Sequence, residues 1–196
     1  MNTVAIVGDD VSETLVPQLL GSSYNCTKFS VPDLSAEKLA QIVVDHDICF
    51  ITSPYKSALG GNLVIGRALY NTDMIAFWKA YKNIIQLVPQ IAPICIVGTG
   101  CMANQLIGLL TAKGYTNIIA LSRNSTYSQS VDLVINTVPK SPLLHPALFG
   151  RYAIDLCYQK ENSFLSDQLQ KGAFCVNGVE MIRQNVLIAL GNFNES

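Results

Sequence analysis

The sequence has little charge and almost no histidine. Only 14% of its 196 residues are charged, and the formal net charge is −1. No run of basic residues is present, so we expect no nucleic-acid partner. The two histidines, His46 and His145, lie far from any ligand-like partner in the sequence, so we predict no metal site.

Disulfide, secretory and membrane signals are also missing. The six cysteines form no CxxC pair, and the chain is too long for a small disulfide scaffold, so we expect reduced thiols. The first residues, MNTVAIVGDD, lack the basic region of a signal peptide. The longest apolar tract, residues 84–98, is interrupted by Pro89, Gln90 and Pro93, which argues against a membrane span. We therefore expect a cytoplasmic protein without a membrane partner.

What the sequence does contain is 49% apolar residues in alternating strand-like and helix-like segments. In the first half, the predicted strands cover 3–8, 26–31 and 48–52, and the predicted helices cover 11–20, 34–44 and 71–83. Ser35 is the predicted N-cap of the second helix, and Asn71 or Thr72 that of the third. Residues 57–70 predict a loop with one short strand. The buried faces of helix 71–83 are predicted to be formed by Ile75, Phe77, Trp78 and Tyr81.

A second alternating block follows a Pro-containing linker at 88–93. The block begins at ICIVGTG (94–100), where a strand leads into a turn. Its further predicted strands are 116–121, 131–136, 151–156 and 174–176, and its predicted helices are 102–113, 163–172 and 178–191. This order predicts an α/β fold of two domains with largely parallel sheets. We expect a small substrate-binding and catalytic domain at 1–83, completed by 178–196, and a Rossmann-type domain that binds NADP at 90–177.

A glycine loop opens the second block. In ICIVGTG, Gly98 and Gly100 lie between a strand and a helix, and Ala103 occupies the third small position of a dinucleotide-binding fingerprint. Glycine lets the backbone approach a pyrophosphate, and the helix N-terminus provides free N–H groups. The alternative is a glycine-rich helix entry that binds no ligand.

The following strand ends in LSRN, residues 121–124. NAD enzymes usually carry an acid there for the ribose hydroxyl, whereas Arg123, between Ser122 and Asn124, suits the extra phosphate of NADP. The alternative is an ordinary surface arginine.

Seven motifs in order make residues 48–190 similar to the shikimate dehydrogenase family. TSPYK (52–56) resembles its Thr-x-Pro-x-Lys, and NTD (71–73) matches its Asn-Thr-Asp. The remaining five are GTGCMA, SRN, DLVINTVP, AIDLCY and GVEMIRQN.

The resemblance implies a set of site residues. Lys56 would be the catalytic acid/base and Asp73 its partner. The substrate contacts would come from Thr14, Thr52, Asn71, Tyr158, Gln184 and Asn185. The cofactor contacts would come from Gly98, Thr99, Gly100, Cys101, Met102, Ala103, Ser122, Arg123, Asn124, Thr137 and Val138.

The sequence departs from the family where the substrate acid would bind. Thr14 and Val16 stand where two serines are usual, and Phe50 replaces an asparagine. The short segment 57–70 suggests that the asparagine of the family's Ala-Val-Asn-Thr strand has no counterpart. The implied reaction is NADP-dependent reduction of 3-dehydroshikimate to shikimate by a monomer or homodimer. The alternatives are another small hydroxy acid, such as quinate, and a non-catalytic NADP-binding protein.

Overall fold

The computed structural model describes residues 2–8, 10–29, 34–52, 55–122, 125, 127, 129–138, 148–157 and 163–194. The chain divides into two compact units, Met1–Lys79 with Met181–Ser196, and Ala80–Glu180. We call them unit 1 and unit 2. Their bounds lie close to those expected for the two domains, while the assignment of substrate and nucleotide binding to them stays a prediction.

Unit 1 contains a five-stranded sheet. The elements in this part of the chain are β1 (Asn2–Val7), α1 (Asp10–Leu20), β2 (Tyr24–Phe29), α2 (Ala36–Asp45), β3 (Ile48–Ile51), α3 (Tyr55–Leu59), β4 (Leu63–Ile65), β5 (Ala68–Tyr70) and α4 (Asp73–Ile85). The strand order is β2-β1-β3-β4-β5. The pairs of β1 with β2 and β3 are parallel, and β4 adds an antiparallel edge hairpin.

The core of unit 1 follows from two continuous apolar runs. All described side chains of β3, and those of Val4–Val7 in β1, are buried, as expected for central strands of a parallel sheet covered on both faces. Helix α2 packs on this sheet through Leu39 and Ile42. The Ser35 hydroxyl accepts the Lys38 N–H at 3.3 Å, which confirms the predicted N-cap.

The segment 57–70 differs from the prediction. Instead of a loop with one strand, it completes α3 and forms the hairpin β4–β5, whose strands are joined by Gly66 and Arg67. Gly66 has a φ of 57°, which favours glycine in so short a turn. Two three-residue strands and a two-residue turn fit into a segment that looked too short for them.

Helix α4 buries only part of its predicted face. Phe77 and Tyr81 are buried, whereas Ile75 is 53% exposed and Trp78 is half-buried. The prediction for Ile75 is wrong because the buried stripe follows Phe77 and Tyr81, one turn apart.

Unit 2 contains a second five-stranded sheet in which every pair is parallel. Its elements are β6 (Ile94–Val97), α5 (Cys101–Ala112), β7 (Ile118–Leu121), β8 (Ser130–Asn136), β9 (Phe149–Asp155), α6 (Ser163–Gln170) and β10 (Phe174–Val176). The last helix, α7 (Val179–Asn194), belongs to unit 1 from Met181 onward. The strand order is β10-β9-β8-β6-β7, so the chain leaves β6 on one side for β7 and continues on the other side at β8. The carboxyl ends of β6 and β8 therefore form a topological switch point, the usual ligand position in such sheets. The predicted α/β class is confirmed.

Of the helices that the structure describes, none combines enough length with enough apolar character to cross a bilayer.

Candidate active site

Lys56 and Asp73 form an ion pair in unit 1. Lys56 lies in the first turn of α3, just after β3, and Asp73 is the first residue of α4. The distance from Lys56 Nζ to Asp73 Oδ2 is 2.5 Å. The two side chains come from segments 17 positions apart and meet as the sequence motifs predicted.

The exposure of the two partners is unequal. The Asp73 side chain is 7% exposed and that of Lys56 is 27% exposed. A buried carboxylate needs a cation close by, because an unpaired charge is costly away from water. The carboxylate thus holds the ammonium in place while part of the Lys56 side chain remains exposed.

Thr52 fixes the start of the segment that carries Lys56. Its N–H donates to Val7 O at 2.9 Å, and its carbonyl accepts the Lys56 N–H at 3.0 Å. Gly8 lies against it with a φ of 153°, and a methyl group at Gly8 would overlap Thr52 Oγ1. The lysine is therefore connected through two backbone hydrogen bonds to the end of the central strand β1.

A second polar cluster lies beside Asp73. The Thr72 N–H donates to Asn62 Oδ1 at 2.7 Å, and Asn62 Nδ2 donates to Thr72 Oγ1 at 2.9 Å. The Thr72 hydroxyl donates to Asn185 Oδ1 on α7 at 2.7 Å. This contact joins positions 113 apart in the sequence and brings the predicted residue Asn185 next to the first residue of α4.

Sequence reasoning missed Asn62 and Thr72 in this cluster. The short segment 57–70 supplies a buried asparagine of its own, since Asn62 directly precedes β4 and is only 7% exposed. Thr72 is more than the helix cap predicted, since its hydroxyl bonds to side chains from two other elements. The available signal was the polar Asn62 between GG and the apolar run LVI.

The other predicted substrate residues of unit 1 are placed as follows. Thr14 is exposed on α1, Gln184 is half-buried on α7, and exposed Asn71 accepts the Asp73 N–H at 3.4 Å. Tyr158 lies outside the described residues. Val16, which stands where a second hydroxyl was expected, is 2% exposed and belongs to the core.

The glycine loop of unit 2 lies between β6 and α5, as predicted, and the strand order places it at the switch point of the sheet. Gly98 follows β6 with a φ of 120°, and a methyl group there would overlap Thr137 Oγ1. Gly100 is the N-cap of α5, has open space where a side chain would be, and is followed by no acid in the first turn. Ala103 is fully buried, which allows close packing of the helix. A bare helix N-terminus with an open approach fits the pyrophosphate of a dinucleotide.

The loop after β8 is held against Gly98. Thr137 donates from both its N–H and its hydroxyl to Val97 O, each at 2.9 Å. Asn136 accepts the Val138 N–H at 3.1 Å and donates to the buried carboxylate of Asp155 at 3.0 Å. These contacts set the position of the two residues predicted to line the cofactor.

The remaining cofactor residues are only partly described. Thr99 and Cys101 are exposed in the loop, and Met102 is half-buried. Ser122 lies after β7, and its N–H donates to Ser125 Oγ at 3.0 Å. Arg123 and Asn124 lie outside the described residues, so the choice of NADP over NAD stays a sequence prediction.

Solved structures with this fold include shikimate dehydrogenases. Shikimate dehydrogenase 1 from Peptoclostridium difficile is 17% identical, with a TM-score of 0.79 over 100% of this chain and 92% of that chain. A chorismate mutase/shikimate 5-dehydrogenase fusion protein from Clostridium acetobutylicum is 19% identical, with a TM-score of 0.77 over 100% and 91%. The shikimate 5-dehydrogenase from Thermus thermophilus, in complex with NADP(H) and shikimate, is 19% identical, with a TM-score of 0.77 over 100% and 94%.

No family model and no curated protein sequence matches the chain. At these identities the likeness concerns the fold, and at that level the resemblance read from the sequence motifs is confirmed. The chain has the two-sheet α/β fold of the shikimate dehydrogenases.

Proposed function

We propose that this protein is an NADP-dependent oxidoreductase that reversibly reduces 3-dehydroshikimate to shikimate, a step of aromatic amino acid biosynthesis, in the cytoplasm. The observation that carries the proposal is the ion pair between Lys56 and Asp73 at 2.5 Å in a shikimate dehydrogenase fold. We assign unit 1 to the substrate and unit 2 to the cofactor.

Lys56 manages the proton in the proposed reaction. Bound NADPH supplies a hydride to the carbonyl carbon of the substrate. As the carbon–oxygen double bond becomes a single bond, negative charge develops on the oxygen. The Lys56 ammonium stabilises that charge and donates a proton to the oxygen, and in reverse its neutral amine accepts the proton from the hydroxyl.

Asp73 orients Lys56 rather than exchanging protons itself. Its buried carboxylate keeps the amine at one place and compensates its positive charge. Thr52, through its backbone contact with Lys56, fixes the start of the same segment.

The cofactor is assigned to the loop and strand ends of unit 2. Gly98, Thr99 and Gly100 would receive the pyrophosphate at the start of α5, together with Cys101, Met102 and Ala103. Thr137 and Val138 would line the adjacent part of the cofactor, and Ser122, Arg123 and Asn124 would bind the 2′-phosphate. The open, acid-free entry to α5 supports this assignment.

The substrate is assigned to polar side chains of unit 1 and to Tyr158. The contacts would come from Thr14, Thr52, Asn71, Tyr158, Gln184 and Asn185. We also propose that the protein acts as a monomer or homodimer.

The test is an NADPH-coupled assay with 3-dehydroshikimate and, in reverse, with shikimate. We expect turnover by the wild type and a loss of about 10²–10⁴-fold in Lys56→Ala, because a positioned acid/base contributes roughly that factor. Asp73→Asn should lose activity as well. Lys171→Ala is the matched control, since it removes the lysine of an ion pair with Asp167 in unit 2.

Binding of NADPH, measured by fluorescence, separates chemistry from cofactor affinity. Lys56→Ala should bind NADPH as the wild type does. Wild-type protein that binds NADPH but turns over no hydroxy acid would contradict the enzyme proposal and leave a non-catalytic NADP-binding protein.

A second candidate is the same chemistry on another small hydroxy acid, such as quinate. The observation that favours it is Val16, which is 2% exposed and offers no hydroxyl to a substrate carboxylate. A lost hydrogen bond to a charged group costs about 1.5–3 kcal/mol, or more than tenfold in affinity. Assays of shikimate, quinate and smaller hydroxy acids side by side distinguish the two candidates by kcat/KM.

A further inference from the structure

Three side chains from distant segments meet at the first turn of α4. Thr72 precedes Asp73 and is 3% exposed, and Asn62 before β4 is 7% exposed. Asn185 on α7 is half-buried. Since both Asn62 and Thr72 are buried, their polar atoms must find partners inside the protein, and the contacts among the three provide them.

The donors and acceptors in this cluster are assigned by starting from the backbone N–H of Thr72. The Thr72 backbone N–H can only donate, so the group 2.7 Å from it must be the oxygen of Asn62. The amide of Asn62 therefore turns its nitrogen toward Thr72 Oγ1, to which it donates at 2.9 Å.

The hydroxyl of Thr72 in turn determines the orientation of the Asn185 amide. Having accepted a hydrogen bond from Asn62, Thr72 Oγ1 has its proton available, and the nearer acceptor is Asn185 Oδ1 at 2.7 Å, compared with Asn62 Oδ1 at 3.2 Å. The oxygen of Asn185 is thus engaged with Thr72, and its NH₂ group is turned away from the cluster.

We propose that Thr72 is a positioning residue whose hydroxyl fixes the amide of Asn185 so that Asn185 presents N–H donors to the substrate. The substrate group bound there is consequently a hydrogen-bond acceptor. This inference rests on the proposed function, because it assumes that Asn185 contacts the substrate.

The same contacts position the ion pair. The Thr72 N–H and hydroxyl are both engaged, and the next residue is Asp73, whose carboxylate holds Lys56. Replacing the hydroxyl of Thr72 therefore frees the Asn185 amide and loosens the start of α4 together.

The decisive variant is Asn185→Asp, which keeps the shape of the side chain and replaces its N–H donors with an oxygen. The inner oxygen still accepts the Thr72 hydroxyl, so the melting temperature should stay near that of the wild type. The outer oxygen repels an acceptor, so the KM for shikimate should rise about tenfold to a hundredfold while the KM for NADP⁺ stays unchanged. Asn25→Asp on exposed β2 controls for the added negative charge.

Thr72→Val and Thr72→Ser form the second comparison. Valine keeps the branched shape but removes the hydroxyl, so we expect a higher KM for shikimate and a lower melting temperature. Serine keeps the hydroxyl and should restore both. If serine behaves as valine does, the hydroxyl has no positioning role and the proposal is wrong.

The melting temperature of Asn185→Asp tests the orientation of the amide without any turnover. If the wild-type amide had its nitrogen toward Thr72, aspartate would place two acceptors together and destabilise the protein as much as Thr72→Val. That outcome, or an unchanged KM for shikimate in Asn185→Asp, would overturn the inference. Absence of both turnover and calorimetric binding of shikimate in the wild type would instead overturn the proposed function, and the melting comparison would still decide the orientation.

Discussion

In each unit, a threonine donates its N–H and its hydroxyl to the carbonyl oxygen of the last residue of a neighbouring strand, although the surrounding sequences differ. In unit 1, Thr52 donates its N–H to Val7 O at 2.9 Å and its hydroxyl to the same oxygen at 3.4 Å. In unit 2, Thr137 makes both contacts with Val97 O, each at 2.9 Å. A glycine with positive φ follows each valine, Gly8 at 153° and Gly98 at 120°, and leaves room for the threonine.

The residues that follow Gly8 and Gly98 differ in charge between the two units. Gly8 is followed by DDVSE, a sequence with three acids around the start of α1, whereas Gly98 is followed by TGCMA, which places none at the start of α5. Acidic side chains compensate the positive end of a helix dipole and repel an anion. The entry to α5 is thus the one suited to a phosphate group.

The residues after each threonine also differ. In unit 1, Thr52 leads into α3, which places Lys56 beside Asp73. In unit 2, the loop after Thr137 is held by Asn136, which is bonded to buried Asp155. One backbone arrangement thus precedes the Lys56–Asp73 ion pair in unit 1 and the loop held by Asn136 in unit 2, and we propose that the first serves the proton transfer and the second the cofactor.

Replacing Gly8 and Gly98 with alanine should affect turnover and NADPH binding separately. These are the largest effects that we expect. Gly8→Ala pushes against Thr52 and misplaces the segment of Lys56, so turnover should fall about a hundredfold while NADPH still binds. Gly98→Ala pushes against Thr137 and should weaken NADPH binding about tenfold or more. The measurements are steady-state rates and fluorescence titration.

Gly191→Ala and Gly108→Ala are the matched controls in units 1 and 2. A methyl group at either position meets nothing within 4 Å, so both variants should retain rates and NADPH affinity. If Gly8→Ala and Gly98→Ala instead lose the same property, the functional division between the units is wrong.

An acidic residue after Gly98 should make the entry to α5 resemble the entry to α1. Thr99→Asp places a carboxylate at the exposed entry to α5 and should weaken NADPH binding about tenfold, with the effect reduced by salt because exposed charges are screened. Thr99→Asn introduces a side chain of nearly the same shape as aspartate but without its charge, and this variant should bind NADPH as the wild type does. Equal affinities of the aspartate and asparagine variants, measured at low salt, would contradict a phosphate site there.

The parts of the fold that the sequence predicted are those set by local patterns. Continuous apolar runs such as Ile94–Val97 identify buried parallel strands, and the glycines of GTG identify the helix entry at the switch point. The meeting of Lys56 and Asp73 was predictable only because two separate motifs resembled one family.

The parts that the sequence did not predict depend on distant contacts. The hairpin of Leu63–Ile65 and Ala68–Tyr70 has strands too short for a periodic pattern, and its pairing with β3 supplies the stability. The cluster of Asn62, Thr72 and Asn185 joins three elements, so no local pattern reports it. The exposure of Ile75 likewise depends on which side of α4 meets the core.

The reactivity of the cysteines should distinguish the two buried cores from the glycine loop that we propose for the cofactor. Burial raises the pKa of Cys49 on β3 and of Cys95 on β6 to about 12, so at about pH 8 neither forms the reactive thiolate to a useful extent. Cys101, exposed at the start of α5, should react with iodoacetamide first, and NADPH should slow its reaction. Mass spectrometry of the labelled peptides gives the rates. Labelling of Cys101 that NADPH does not affect would argue against a cofactor at this loop.

The smallest expected effect concerns the opposite ends of the same strands. The Asp47 and Asp132 N–H groups donate to Thr3 O and Pro93 O at 3.1 and 3.0 Å. Thr3 also donates its N–H and hydroxyl to the Asp47 carboxylate at 2.8 and 2.9 Å, which holds the pKa of Asp47 below its usual value. Pro93 has neither an N–H nor a hydroxyl to donate to Asp132, so Asp132 in unit 2 has no equivalent of the two hydrogen bonds that Thr3 donates to Asp47.

The hydrogen bonds from Thr3 to Asp47 should therefore make the stability of unit 1 slightly more sensitive to acid. A lowered pKa in the folded state gives stability that is complete above the unfolded value of about 3.9 and is lost as the pH falls through the folded value. Because Asp47 is exposed, we expect a contribution on the order of 0.5 kcal/mol to the free energy of unfolding. Thr3→Val should reduce the difference in stability between neutral and acid pH, and Asp47→Asn should change it more than Asp132→Asn does. Urea unfolding at both pH values measures these differences, and an equal effect of the two aspartate variants would show that the Thr3 hydrogen bonds do not distinguish the units.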